Sequence, residues 1–197
     1  AGMAQRLTGM RVLMSCPSLV GEAHLCIGTI GTMESGGVWQ VVAVEGAEVR
    51  LRSKRIGLVS VDVKAPVRSG ELRIVRGKAQ LSLAMALDQL STENFIMQAA
   101  ARTLVKRHGA GSLVYEGQGR LAAKGRMVTV AGMARAGDVE LAIDLLVTPV
   151  GPDGDPMLEI ELTGSASIGR VHLPLPGLGT IDDFSFDVDA RLALRSG

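Results

Sequence analysis

The segment FSFDVDARLALRS, residues 184–196, alternates apolar and polar side chains over its whole length. A period of two places successive side chains on opposite faces of a β-strand, so this strand has one dry face and one wet face. Burial on one face is typical of antiparallel sheet. The dry phase is Phe184, Phe186, Val188, Ala190, Leu192 and Leu194, and the wet phase is Ser185, Asp187, Asp189, Arg191 and Arg195.

The same alternation recurs upstream, with aliphatic side chains in one phase and charged or small side chains in the other. Short turns between such strands imply hairpin connections. They predict an all-β, mainly antiparallel fold, either an up-and-down barrel or a sandwich, of about eight to ten strands. The alternating windows lie at 48–52, 59–64, 81–87, 138–145 and 158–162, and the predicted turns are RSG (68–70), RG (76–77), GQG (117–119), KG (124–125), RAGD (135–138) and GPDGDP (151–156).

One stretch, LSTENFIMQAAARTLVKRHGAG at 90–111, predicts a short helix between two strands. Ser91 or Thr92 is a good N-cap, and Gly109 follows as the C′ residue. The KRH step at 106–108 complements the helix C-terminus, which we prefer to a lipid-phosphate contact. Such an amphipathic helix must lay its apolar stripe against a sheet or over a barrel mouth. The stripe is Ile96, Ala100 and Leu104, flanked by Met97, Ala101 and Val105.

Composition limits the classes of function. The formal net charge of +1 is too small to drive nucleic-acid binding. Aromatic residues make up 3% of the chain, which argues against sugar-binding surfaces and single-strand stacking platforms. Met85, Met127 and Met133 fit either a filled core or the soft lining of an irregular apolar pocket.

The first part of the chain is mixed in character and rich in glycine, so we predict an N-terminal arm at 1–37 and one β-domain at 38–197. Cys16 and Cys26 fit two free thiols in a reducing compartment better than a disulfide. No run of about 20 apolar residues predicts a transmembrane helix. We expect a cytoplasmic protein. Export is the alternative, if residues 1–30 act as an atypical signal.

Motifs for chemistry are missing from the sequence. His24, His108 and His172 are scattered, and no serine-nucleophile, phosphate-loop or metal-ligand spacing occurs. The acidic residues around 182–189 fit a solvated strand face better than a calcium site. We therefore expect no catalysis, no metal and no cofactor.

Four stretches, 47–74, 77–98, 104–119 and 127–147, together resemble the YceI-like family of lipocalin-like, polyisoprenoid-binding barrels. The second ends its long strand in LSTEN (90–94), near the family's S-x-x-T-x-N pattern. The fourth, MVTVAGMARAGDVELAIDLLV, is similar to the family's T-V-x-G hairpin. The resemblance covers 38–197 and implies a lipocalin-like up-and-down barrel with one short helical crossover segment.

The resemblance also implies a function. A polyisoprenoid or other lipid would lie in an elongated cavity, for carriage, storage or stress protection, and a homodimer is compatible with this. The helix would close or line one side of the cavity through residues 95–97 and Leu104, with Lys106 and Arg107 outside. The side chains expected to contact the ligand are Leu81, Leu83, Met85, Phe95, Ile96, Met97, Leu141, Ile143, Leu145, Phe184 and Phe186.

Two other hypotheses remain at this point. A solid-cored structural or interaction domain would fill its interior with its own side chains and form oligomer contacts through the 1–37 arm. An enzyme acting on an apolar substrate would need a buried titratable group near the cavity mouth. The sequence candidates for that group are His172, Arg170 and the pair Asp182 and Asp183.

Overall fold

In a computed structural model of the protein, the described residues form nine β-strands, and the strands coincide with the alternating stretches of sequence. All recorded strand pairings are antiparallel. The strands are β1 (Gly37–Val41), β2 (Glu48–Ser53), β3 (Asp62–Val75), β4 (Lys78–Ala86), β5 (Ser112–Leu121), β6 (Val128–Ala136), β7 (Val139–Val150), β8 (Met157–His172) and β9 (Thr180–Ser196).

The structure describes residues 36–42, 46–53, 60–93, 98–99, 102–103, 105–106, 109–122, 127–150, 157–172 and 180–197. For 168–172 and 180–183 the backbone alone is described. The chain divides into two units, Ala1–Ile30 and Gly31–Gly197, and every described residue belongs to the second. Residues 1–35 of the predicted arm, which include Cys16, His24 and Cys26, lie outside the described residues. The division at 37/38 therefore stays a prediction.

The sheet closes into a barrel because each strand pairs with two neighbours. Going round, β2 is followed by β9, β8, β7, β6, β5, β4 and β3, and β3 pairs with β2 again. β1 occupies the same place as β2, since Trp39 lies between Leu72 of β3 and Ser196 of β9. Nine segments thus fill eight positions. This confirms the predicted antiparallel barrel of about eight strands.

The strand phase predicted for the last strand is confirmed. Val188 and Leu192 of β9 are buried, whereas Asp187 is exposed. The wet face carries ion pairs between neighbouring strands, such as Arg191 Nη2 to Glu159 Oε2 at 2.7 Å. The dry faces of all strands therefore share a single interior.

Two predicted turns are confirmed. Arg76 and Gly77 both have positive φ, 51° and 74°, as a two-residue type I′ hairpin between β3 and β4 requires. Gly137 has φ 60° in the two-residue connection between β6 and β7. The KG and GPDGDP steps lie outside the described residues.

Two other predicted turns are wrong. RSG at 68–70 lies inside β3, at a register shift between Val67 and Ser69 that marks a β-bulge. GQG at 117–119 lies inside β5, where Gly117 pairs with Gly132 of β6. Glycine here permits bending and close packing within a strand, and does not end the strand.

The predicted helical crossover connects β4 to β5. A 3-10 helix, Leu87–Gln89, is followed by α-helical residues at 98–99, 102–103 and 105–106. Gly109 has φ 61°, its N–H donates to Lys106 O, and the N–H of Ala110 donates to Val105 O. This is a Schellman ending, which confirms Gly109 as the C′ residue. Phe95, Ile96, Met97, Leu104, Arg107 and His108 lie outside the described residues.

One half of the barrel interior, which we call the filled half, is packed with large aliphatic side chains. It lies at the end where β1 begins and β9 ends. Trp39 folds across Gly37 there, so that an added Cβ on Gly37 would lie 2.9 Å from the ring. The side chains of the filled half that are at most 1% exposed are Leu72, Ile74, Ala79, Leu81, Val128, Val130, Val147, Ile160, Leu192 and Leu194.

Truncation in the filled half should be costly. Leu192→Ala removes a side chain that is 1% exposed, and we expect a loss of about 2–5 kcal/mol in unfolding free energy because a cavity remains. Val75→Ala is the control, since Val75 is 53% exposed and should change stability by less than about 0.5 kcal/mol. Urea unfolding measures both. Equal losses would contradict a filled half.

Candidate binding site: an apolar cavity in the barrel

The other half of the interior, the open half, contains a cavity of about 360 Å³. It lies at the end where the crossover and the β6–β7 turn are found. Strand alternation explains its walls. The strands continue past the filled half, and their inward-facing side chains line the cavity. Its lining is Val49, Leu51, Ser53, Val61, Val63, Ala65, Leu83, Met85, Leu87, Leu90, Val105, Leu113, Tyr115, Ala134, Ala136, Val139, Leu141, Ile143, Leu145, Leu162, Phe184, Phe186, Val188 and Ala190.

Among the described residues, two polar side chains line this cavity, and both already have protein partners. Ser53 Oγ accepts a hydrogen bond from the N–H of Val61 at 2.8 Å. The Tyr115 hydroxyl donates to Val130 O at 2.9 Å and lies 3.3 Å from Ile143 O. The remaining lining is aliphatic or a phenylalanine ring, so the cavity offers contact area and few directional bonds.

Tyr115 forms the floor that separates the cavity from the filled half. Its ring lies over the paired glycines Gly117 and Gly132, and an added Cβ would be 2.5 Å from the Tyr115 hydroxyl at Gly117 and 2.6 Å from the ring at Gly132. A larger residue at either position would push the ring away. The two glycines thus leave space for the Tyr115 ring, and the hydroxyl of that ring reaches the carbonyls of β6 and β7.

Burial controls the titration of this phenol. Tyr115 is 2% exposed, and burial, followed by the charge of Asp144, raises its pKa to about 12. The neutral form is favoured because a phenolate would be poorly hydrated at this buried position. Ionisation would also remove the proton that the hydroxyl donates to Val130 O. Tyr115 is therefore a neutral structural donor near pH 7.

The barrel wall has a gap beside the cavity. Pairing of β7 with β8 ends at Asp144↔Ser165, although β7 begins at Val139 and β8 continues to His172. Beyond that point β8 pairs with β9 alone among the described residues. We call this gap the notch. Its lining is Leu141, Ala142, Asp144, Ser165, Ala166, Ser167, Ser185, Phe186 and Asp187, around a volume of about 470 Å³.

The structure brings most of the predicted ligand contacts together. Seven of the predicted side chains line the cavity, and Leu81 does not. Leu81 is two residues from Leu83 along β4, a rise of about 6.6 Å, which moves it into the filled half. Phe95, Ile96 and Met97 lie outside the described residues. The seven are Leu83, Met85, Leu141, Ile143, Leu145, Phe184 and Phe186.

Sequence reasoning missed the walls contributed by β2, β3 and β6, and the floor residue Tyr115. A usable signal was present, because Ala65, Ala134, Ala136 and Ala190 are small residues in the inward phase. A small inward side chain leaves volume that a neighbour must fill, and at these positions the neighbours do not fill it.

The candidates for chemistry lie in β8 and β9, where the structure describes their backbone alone. Arg170 pairs with Asp182, and His172 with Thr180, in the β8–β9 backbone, and their side chains are outside the description. No group of three or more His, Cys, Asp or Glu among the described residues could hold a metal ion. Within the same residues, no helix is long and apolar enough to cross a membrane.

The barrel resembles BcnA of Burkholderia cenocepacia. The crystal structure of that protein superimposes with a TM-score of 0.57, covering 78% of this chain and 98% of the BcnA chain. Identity is 11%, so the likeness is one of fold. No protein-family model matches the chain, and no curated protein sequence matches it.

Tyr115 is the only tyrosine in the chain, so its titration can be observed directly. We expect phenolate absorbance at 295 nm to appear near pH 12 in the native protein, against an ordinary value of 10.0 in the unfolded chain. Because the unfolded chain releases this proton first, the stability tied to it is present below pH 10 and is lost between pH 10 and about 12.

Tyr115→Phe is the matched variant. It should lose about 1 kcal/mol at pH 7 because the hydroxyl bonds disappear. Above pH 10 its stability should fall less steeply than that of the wild type. A native phenol that titrates at its ordinary value would contradict the buried floor.

Proposed function

We propose that this barrel binds one apolar molecule, or the apolar chain of an amphiphile, in the open half, and that it does so without catalysis. The observation that carries the proposal is a cavity whose polar lining consists of Ser53 and Tyr115, each already hydrogen-bonded within the protein. A lining of this kind excludes a polar ligand, because its polar groups would be buried without partners.

The volume supports a ligand of limited size. Ligand pockets commonly measure about 300–1,000 Å³, and the cavity lies at the low end of that range at about 360 Å³. One chain segment would fill it, and the rest of a longer molecule would extend outside. A long polyisoprenoid would therefore be held by one part of its length.

Burial of apolar surface provides the driving force. At about 25 cal/mol per Å², covering about 200 Å² of a hydrocarbon chain contributes about 5 kcal/mol before the cost of association. Flexible chains make few directional contacts, which suits walls of valine, leucine and alanine. Specificity would then depend on chain length and on the polar end of the ligand.

The resemblance to YceI-like sequences points to a polyisoprenoid or another lipid as the ligand. Carriage, storage or protection under stress are the roles that suit such binding. The chemistry of the described cavity supports a non-catalytic role, since its one titratable side chain is Tyr115, whose raised pKa of about 12 makes it a poor base at neutral pH.

Two leucines on one strand test the cavity. Leu83→Trp places an indole into the open half and should change stability by less than about 1.5 kcal/mol. Leu81→Trp places it into the filled half and should cost about 1–3 kcal/mol or more by overpacking. Both side chains are at most 2% exposed, so exposure does not separate them. Urea unfolding measures the difference, and equal costs would contradict an open half.

Binding is measured with N-phenyl-1-naphthylamine, an uncharged probe that fluoresces in apolar sites. We expect saturable binding to the wild type and competition by farnesol and geranylgeraniol. Leu83→Trp should reduce probe binding at least tenfold while Val75→Ala leaves it unchanged. Should Leu83→Trp fail to fold, Ala134→Phe fills the same cavity from β6. No saturable binding by folded wild-type protein would overturn the proposal.

A further inference from the structure

The notch between β7 and β8 adjoins the cavity. Its lining includes Leu141 and Phe186, which also line the cavity. The Phe184 and Phe186 rings lie 6.1 Å apart between centroids and belong to the same wall. The notch and the cavity therefore share this part of the barrel wall.

The notch changes from apolar inside to polar outside within one strand thickness. By strand alternation Leu141, Ala166 and Phe186 face the interior, and their neighbours face outward. Apart from Ala142, the outward members carry hydroxyl and carboxylate groups. They are Ser165, Ser167, Ser185, Asp144 and Asp187. An amphiphile with its chain in the cavity would place its polar end among these groups.

We propose that the notch receives the polar end of the bound ligand and selects an ammonium or hydroxyl group over a phosphate or carboxylate. This inference rests on the proposed function, because it specifies the ligand of the same cavity. It assigns the chain to the open half and the head group to the wall.

The preference against an anionic head group comes from a row of three outward side chains. Ser165 is the direct register partner of Asp144 on one side and of Asp187 on the other. Two strand spacings separate the two carboxylates, about 10 Å between backbones. Among the described residues neither carboxylate has an ion-pair or hydrogen-bond partner. An anionic head group placed between them would be repelled from both sides.

Among the described side chains, the cation in register with Asp187 does not reverse this preference. Arg52 of β2 is the register partner of Asp187, but its guanidinium lies 3.5 Å from Asp189 and 3.8 Å from Asp62. No lysine, arginine or histidine lines the notch among the described residues. The charge facing a head group is thus that of the two carboxylates.

The free strand edges supply further hydrogen bonds without choosing a charge. Residues 139–143 of β7 pair with β6 alone among the described residues, and the β8 backbone beyond position 165 pairs with β9 alone. Edge strands present both N–H and C=O groups. A hydroxyl both donates and accepts, and an ammonium donates to C=O and carboxylate alike. Either group fits this edge.

A series of ten-carbon ligands with one chain and different ends tests the inference. Decylamine, decan-1-ol and decanoate displace N-phenyl-1-naphthylamine at low salt, each below its micelle concentration. We expect decylamine to bind at least tenfold more tightly than decanoate, with decan-1-ol between them. Raising the salt concentration to about 0.5 M should reduce the differences in affinity among the three ligands, because exposed charges are screened.

Asp144→Asn and Asp187→Asn should each reduce the preference for amine over carboxylate about two- to fivefold, and the double variant about tenfold. Binding of decan-1-ol should stay unchanged in all three. Glu161→Gln is the control, since it removes an exposed carboxylate from β8, the strand between β7 and β9, away from the notch.

The outcomes separate this inference from the proposed function. Equal binding of the three ligands, or a preference that survives the double variant, would overturn the head-group assignment while leaving the cavity intact. Tighter binding of decanoate would also overturn it. Failure of the uncharged probe and of all three ligands to bind would overturn the proposed function itself.

Discussion

Closure of the sheet is the constraint on which the rest of the structure depends. Once eight strand positions are paired in a ring, the interior has a fixed width, and the inward side chains either fill it or leave it empty. Leucine, isoleucine, valine and one tryptophan fill one half. In the other half alanine occupies four inward positions, 65, 134, 136 and 190, and a cavity remains. The choice between a solid core and a hollow barrel is thus decided separately for each half.

Alternation in the sequence predicts an antiparallel barrel or sandwich and most of the strand phases, because a strand buried on one face has apolar side chains at every second position. The resemblance to YceI-like sequences favours the barrel. Strand length is harder to predict. RSG and GQG resemble turns, yet both lie inside strands, since a bulge and the Tyr115 ring need glycine there. Leu81 and Leu83 share one pattern and differ only in depth along the barrel, a property that depends on register with strands far away in the chain. The notch is equally hard to predict from the sequence, because it forms where the pairing of β7 with β8 ends.

Tyr115 connects the fold to the proposed function. It closes the filled half, provides the floor of the cavity and bonds to carbonyls of two neighbouring strands. A hydroxyl in an apolar cavity is tolerated because these carbonyls satisfy it. The floor is dry, and the polar groups of the open half gather at the wall instead. That separation of a dry interior from a polar exit is what an amphiphile requires, and the likeness to BcnA adds the fold alone.

The pairing of Trp39 with Ser196 places the first and last strands of the barrel side by side at the filled end. The notch and the cavity face the opposite end. A tether attached after β9 would therefore hold the barrel by its filled half, on the side away from the cavity and the notch. Immobilisation on a sensor surface through this end would preserve the whole working side of the barrel, and joining the neighbouring ends of β1 and β9 would allow a circularly permuted barrel with new termini elsewhere.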